Sequence, residues 1–182
     1  MSHDDLMDLT YLPALDHPDL VGDAVTAALA AWPPGAEVKV AEIDASLADT
    51  AAFTEAYGLS LLDSANCVVV AGKRAGEERI AACVVRADTR ADVNNVVKRL
   101  LDVRKASFLS TERAVEMSGM EYGGITPIGL PAGWRLLVDS RVPEIEHAII
   151  GSGVRRSKLF LPGNRIGDLP GAEVIEGLAN SA

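Results

Sequence analysis

Apolar residues along this chain change period several times, and each change predicts an element. Leu20, Val21, Ala24, Val25, Ala28 and Leu29 recur at helical spacing after Asp16-His17-Pro18, which reads as a cap region with proline early in the helix. Trp32-Pro33-Pro34-Gly35 stops that helix. Residues 37–43 alternate through Val38 and Val40 and predict a strand, and Asp49 to Tyr57 predicts a helix closed by Gly58. Two near-continuous apolar runs follow, Cys67 to Ala71 and Ile80 to Val85, with residues 72–78 as the polar tip of a hairpin. Strands apolar at every position require cover on both faces.

Asp92 to Leu101 predicts a helix with Val93, Val96, Val97 and Leu100 on one side. A short strand is expected over 106–109, after which Ser110 caps a helix over 111–117 whose first turn carries Glu112. Strands near 134–138, 147–150 and 158–161, a turn at 166–169 and a last strand at 173–175 complete the pattern. Strands mixed with helices, without a repeat, predict an α+β (mixed α/β) fold in one domain.

Composition agrees with a globular chain: 182 residues, 48% hydrophobic and 24% charged. No run is long and apolar enough to span a membrane, and Met1-Ser2-His3-Asp4-Asp5 is acidic where a signal peptide would be basic. A cytoplasmic location is therefore expected. Cys67 and Cys83 lie inside apolar runs and read as small buried hydrophobes, without the CxxC spacing of a zinc site. No metal and no cofactor is expected.

Charge is distributed unevenly. Of a net −9, residues 1–63 carry twelve Asp or Glu against Lys39 alone, whereas residues 64–182 are slightly basic. An anionic partner should meet the later part, where Lys73-Arg74, Lys98-Arg99, Arg104-Lys105 and Arg155-Arg156-Ser157-Lys158 cluster. An acidic protein does not bind long nucleic acid tightly, although a partner gripped at one end remains compatible.

Familiar catalytic patterns are missing. His3, His17 and His147 are scattered, and His147 reads as a strand residue. There is no GxSxG elbow, no P-loop around Gly72-Lys73 and no GxGxxG. The informative stretch is Gly123-Gly124-Ile125-Thr126-Pro127-Ile128-Gly129-Leu130-Pro131, with three glycines and two prolines in nine residues. A loop so constrained can hold its amides in one arrangement, as a cradle for a carbonyl or an oxyanion, or it can simply turn the chain.

Residues 118–129 of that region resemble the "tGy..GgvsPfG" element of the YbaK-like family, the trans-editing proteins and inserted editing domains associated with bacterial prolyl-tRNA synthetase. Lys105-Ala106-Ser107-Phe108 with Glu112 resembles "Kk.sfas.ee", Leu137-Val138-Asp139 resembles "vlvDesl", and Gly151-Ser152-Gly153 resembles "saGsr". The resemblance covers residues 37–178. It implies a curved mixed β-sheet surrounded by helices over 37–182, with residues 1–36 as an acidic extension bearing one helix.

The same resemblance implies hydrolysis of the ester joining a wrong amino acid to the 3′ end of tRNA. The loop would hold the ester through its backbone, while the terminal ribose hydroxyl and a water do much of the chemistry. Catalytic positions carried over are Gly123, Pro127, Asp139 and Asn66, with Gly124, Ile125, Thr126, Gly129, Gly151, Gly153 and Lys105 binding substrate. The implied partners are the acceptor end of an aminoacyl-tRNA and an aminoacyl-tRNA synthetase. Neither DNA nor a membrane is expected, and a homodimer is left open. Asn66 departs from the pattern, because the family's strand begins "KtLvv" with a lysine. Either a nearby residue such as Lys73 or Lys105 replaces that charge, or the active site is altered or dead and the chain is a non-catalytic binding module. A structural protein with no ligand is the third reading.

Overall fold

The central element is a long hairpin whose two halves carry different loads. The computed structural model describes residues 7–182. Its early elements are β1 (Leu12–Pro13), α1 (Asp23–Ala31), β2 (Lys39–Glu42) and α2 (Thr50–Tyr57). The hairpin follows as β3 (Ala65–Arg74) and β4 (Glu77–Arg86), then β5 (Thr89–Ala91). A π-helical turn at Val93–Val97 leads into α3 (Lys98–Leu101), followed by β6 (Ala106–Phe108) and α4 (Thr111–Ser118). The remainder comprises β7 (Arg135–Asp139), β8 (Ala148–Gly151), β9 (Ser157–Leu161), α5 (Gly163–Gly167), β10 (Ala172–Ile175) and β11 (Ala179–Ser181).

One mixed sheet has the order β10-β7-β4-β3-β6, with β7 parallel to both β4 and β10. A second, antiparallel sheet has the order β1-β2-β9-β8, and a bridge between Ser64 and Ile149 joins the two. The pair β11-β5 stands apart. This is the α+β fold that the alternating pattern predicts. The expected two-sided cover holds for β4: Ala82 and Val84 enter the largest core cluster, while Ala81, Cys83 and Val85 enter another on the opposite face. β3 differs. Asn66, Cys67 and Val68 are only half-buried, because one side of this strand faces a cavity.

Three local expectations need correction. The hairpin tip is only Ala75-Gly76, both at positive φ (51° and 83°), the geometry of a tight two-residue turn. The polar residues expected in the tip are paired strand instead, with Lys73 opposite Glu78 and Arg74 opposite Glu77, so opposite charges extend the ladder. The first helix does not open at Asp16-His17-Pro18. Those residues form two 3₁₀ turns, Ala14–Asp16 and Pro18–Leu20, and α1 starts only at Asp23. Gly22 is extended there, its N–H donating to Ser152 O at 2.9 Å, so the chain bends to dock before the helix begins. The short strands β1, β5 and β11 were also missed, since two or three residues carry no readable period.

α1 places Val25 and Leu29 in the largest core cluster, at 0% and 1% exposure. Leu29→Ala is therefore expected to destabilise the whole domain by about 2–5 kcal/mol, lowering Tm by roughly 5–15 °C. Thermal unfolding measures this. An unchanged Tm would show that α1 is a detachable cover.

Candidate functional site

A cavity of about 560 Å³ opens between α2, the start of β3, the loop after α4 and the β8–β9 pair. Much of its wall is apolar, from Phe53, Val69, Leu109, Ile125 and Ile149. Such a surface suits a small aliphatic group. Its polar residues come from four different segments, and each is placed for a local reason.

The glycine-rich loop is held by backbone, not by side chains. α4 ends at Gly119 in the left-handed region (φ 70°), which frees the chain to turn back. Glu121 N donates to Gly153 O (2.9 Å), Gly153 N to Gly124 O (2.7 Å) and Gly124 N to Glu121 O (2.9 Å). A Cβ on Gly124 would stand 2.7 Å from the Val154 backbone, and one on Gly151 would stand 2.7 Å from Ile125 O. Two backbone segments thus lie closer than any side chain permits. Gly123 itself is exposed, has φ 83° and sits beside the Arg155 guanidinium. Among the described residues, the amides of Gly123 and Ile125 donate to no protein acceptor.

Asn66 lies on β3 in the cavity wall, its side-chain carbonyl accepting from Thr50 Oγ1 at 2.6 Å. β9 contributes Lys158 to the same cavity, where it pairs with Gly151 of β8. Lys158 is 6% exposed, yet no carboxylate lies within ion-pair distance among the described residues. Its Nζ donates to Ala48 O at 2.8 Å and stands 5.4 Å from the centre of the Phe53 ring. Burial lowers its pKa to about 8, Asp49 partly opposing and Arg155 adding to the shift. Arg155 completes this side, donating to Tyr122 O (2.9 Å) and Ala45 O (3.1 Å) and stacking near the Tyr122 ring.

Of the residues singled out from sequence, Asn66, Gly123, Ile125 and Gly151 come together in this wall. Gly124, Thr126 and Pro127 are buried and do not line it, the Thr126 hydroxyl being fully buried and without a partner among the described residues. Gly129 packs against Ala24 O of α1, and Gly153 against Val25 and Gly22. Asp139 is also outside the cavity: its carboxylate accepts from Arg141 N and Ala179 N, both at 2.9 Å, tying β7 to β11. Lys73 and Lys105 line a second cavity, which shares only Phe108 and Leu109 with the first. Cys67 is part of the main wall, but burial and neighbouring Cys83 raise its thiol pKa, and burial pushes Cys83 up to about 12. Both thiols therefore stay neutral near pH 7.

Sequence reasoning left Lys158 as one of several candidate contacts for an anion and missed Thr50 and Ser64, the latter's buried hydroxyl lining the cavity without a partner among the described residues. A signal for Lys158 did exist in the basic cluster 155–158. Its burial was not legible, because Arg156 of the same cluster is exposed while Lys158 is buried.

The lowered pKa of Lys158 has a consequence for stability. Between pH 8 and 10.5 the unfolded chain keeps a proton on this lysine that the folded chain has lost, so stability rises with pH across that window. Below pH 8 the charge is buried at full cost, on the order of 3 kcal/mol. Lys158→Met should therefore be more stable than wild type at pH 7, and the advantage should vanish near pH 10.5. Urea unfolding at both values checks this. A difference that does not change with pH would refute it.

Comparison with known proteins agrees with this geometry. Over 77 residues the chain is 30% identical to a proline–tRNA ligase from Listeria welshimeri, a match covering 42% of this chain but only 13% of the ligase. Two solved structures share the fold. A hypothetical protein superposes with TM-score 0.74 at 21% identity, over 87% of this chain and all of the other. A candidate trans-editing enzyme for prolyl tRNA synthetase superposes with TM-score 0.72 at 21% identity, over 85% of this chain and 94% of the other. No helix of the described residues is long and apolar enough to cross a membrane. Residues 44–169 match the model of the aminoacyl-tRNA editing domain, which spans α2, the hairpin, the glycine loop and β9, and the chain belongs to that family.

Proposed function

We propose that this protein is a trans-acting aminoacyl-tRNA deacylase, hydrolysing the ester of a mischarged tRNA. The observation that carries the proposal is the cavity wall that gathers Gly123 and Ile125, whose amides have no protein acceptor among the described residues, with a buried cation. Water attacks the ester carbonyl, the carbonyl oxygen gains negative charge, and the ribose oxygen leaves as the 3′-hydroxyl of the tRNA. Such an oxyanion is stabilised by fixed donors, and the ester is activated enough to need no strong protein base. The wall carries one carboxylate among the described residues, Asp49, which caps α2 through Ala52 N. Water activation is thereby left to the substrate's own vicinal hydroxyl, as in the resembling family. Apolar walls sort acyl groups by size, where one methylene is worth ~1–3 kcal/mol.

The RNA would continue into the second cavity, lined by Lys73, Arg104, Lys105 and Arg113. Phe108, 61% exposed, stands between the two cavities and offers a face on which a terminal base can stack. Arg113 is already bound by Glu78 at 2.6 and 2.8 Å, so Lys73, Arg104 and Lys105 are the cations offered to phosphates. Lys105→Ala should raise KM several-fold with kcat little changed, and should reduce the salt dependence of binding by about 0.7–0.9 in log–log slope. An unchanged slope places the phosphates elsewhere.

The direct test is a panel of mischarged tRNAs, following loss of the acyl ester. Gly123→Val should lower hydrolysis at least about a hundredfold in a folded protein, since valine resists φ 83° and displaces the donors. Comparable activity in that variant would show that the loop does not hold the ester. Should wild type hydrolyse none of the panel, the chain is a binding module, in keeping with Asn66 standing in the lysine's place.

A further inference from the structure

Lys158 is a buried cation with no carboxylate at ion-pair distance among the described residues. An ammonium has three donors, and one of them meets Ala48 O. Its remaining donors have no acceptor among the described residues, and its side chain lines the cavity. An unpaired buried charge is costly, and folds retain one where a ligand completes it. Charged or titratable groups around it are Asp49 before α2 and Arg155 before β9, with Cys67 and Tyr122 farther along the wall. Two cations against one carboxylate leave this end of the cavity positive. Asn66, by contrast, has its carbonyl oxygen committed to Thr50. In this chain the charge therefore enters the cavity from β9, not from β3.

We propose that Lys158 binds an anionic oxygen of the aminoacylated tRNA end, with β9 supplying the cation that β3 lacks. This rests on the deacylase reading for its substrate. Two oxygens share the required chemistry: the phosphate of the terminal nucleotide, charged before reaction, and the ester oxyanion, charged only during it. Lysine fits either because its charge sits at the end of a flexible stem whose base is fixed in the sheet. Lys73 and Lys105 line only the second cavity and cannot serve at this position.

The test compares wild type, Lys158→Met and Lys158→Arg as full chains, each checked for folding by urea unfolding. The first arm measures binding of the trinucleotide CCA by calorimetry at pH 7 and pH 9.5. The second measures single-turnover and steady-state deacylation of mischarged tRNA across the same range, after subtracting uncatalysed hydrolysis. If the phosphate is the ligand, Lys158→Met weakens CCA at least about tenfold at pH 7. Wild type then loses affinity as pH rises past 8, and Lys158→Arg, charged throughout, does not. If the oxyanion is the ligand, CCA is unaffected, KM holds, and kcat falls about 10²–10³-fold in Lys158→Met. Lys158→Arg then retains activity with a flat profile above pH 8. A purely structural lysine would give neither pH signature. CCA binding and kcat both insensitive to Lys158→Met would overturn the proposal while leaving an active wild type as a deacylase. A wild type inactive on every tRNA removes the deacylase reading, and the CCA arm still decides Lys158, with unaffected or absent binding counting against it.

Discussion

Everything at this site depends on a seam where two stretches of backbone meet without side chains between them. Residues 121–125 and 151–154 exchange hydrogen bonds of 2.7–2.9 Å, and Gly124 and Gly151 have no room for a Cβ. The seam does three things at once. It holds the loop after α4 rigid, it turns the chain between β8 and β9 so that Lys158 faces inward, and through Gly153 it seats Gly22 and α1. Buried Ser152 and Ser157 reinforce it, their hydroxyls 2.7 Å apart and also bonded to backbone carbonyls. Glycine is needed here for close approach more than for contact with a ligand.

The sheet supplies the stiffness against which that seam is built. β4 is covered on both faces and paired on both edges, so its neighbour β3 can leave one end half-exposed as a cavity floor. Opposite-charge pairs carry the hairpin out past the core, and α4 packs its Ala114 under the loop. The loop thereby rests on a rigid frame, which is how fixed donors avoid reorganising during a reaction.

Lys158 shows the opposite balance. A methionine at that position would fill similar volume without burying a charge, yet the chain places an ammonium there with a pKa near 8. Local choices that oppose stability concentrate where a fold does work, and this one lies in the same wall as the loop amides. Thr126 and Ser64, buried hydroxyls without partners among the described residues, are further departures from full satisfaction in and beneath that wall.

Much of this was legible in the chain. Periodicity marked the hairpin, the two capped helices at Asp49 and Ser110, and the late strands, because a two-sided or one-sided burial pattern is written directly in residue order. The glycine-proline run marked the loop, since only such residues accept that backbone. Other features depended on distance. The sequence placed Asp139 among the catalytic candidates, but it bonds amides two and forty residues away, and which amides lie within reach is decided by folding. Likewise four basic or polar residues at 155–158 look equivalent in order. Lys158 sits within β9 opposite Gly151 and lines the cavity, whereas Arg156, just before the strand begins, is exposed. Residue identity determined which groups were available; the close approach of segments far apart in the chain decided which of them share a cavity.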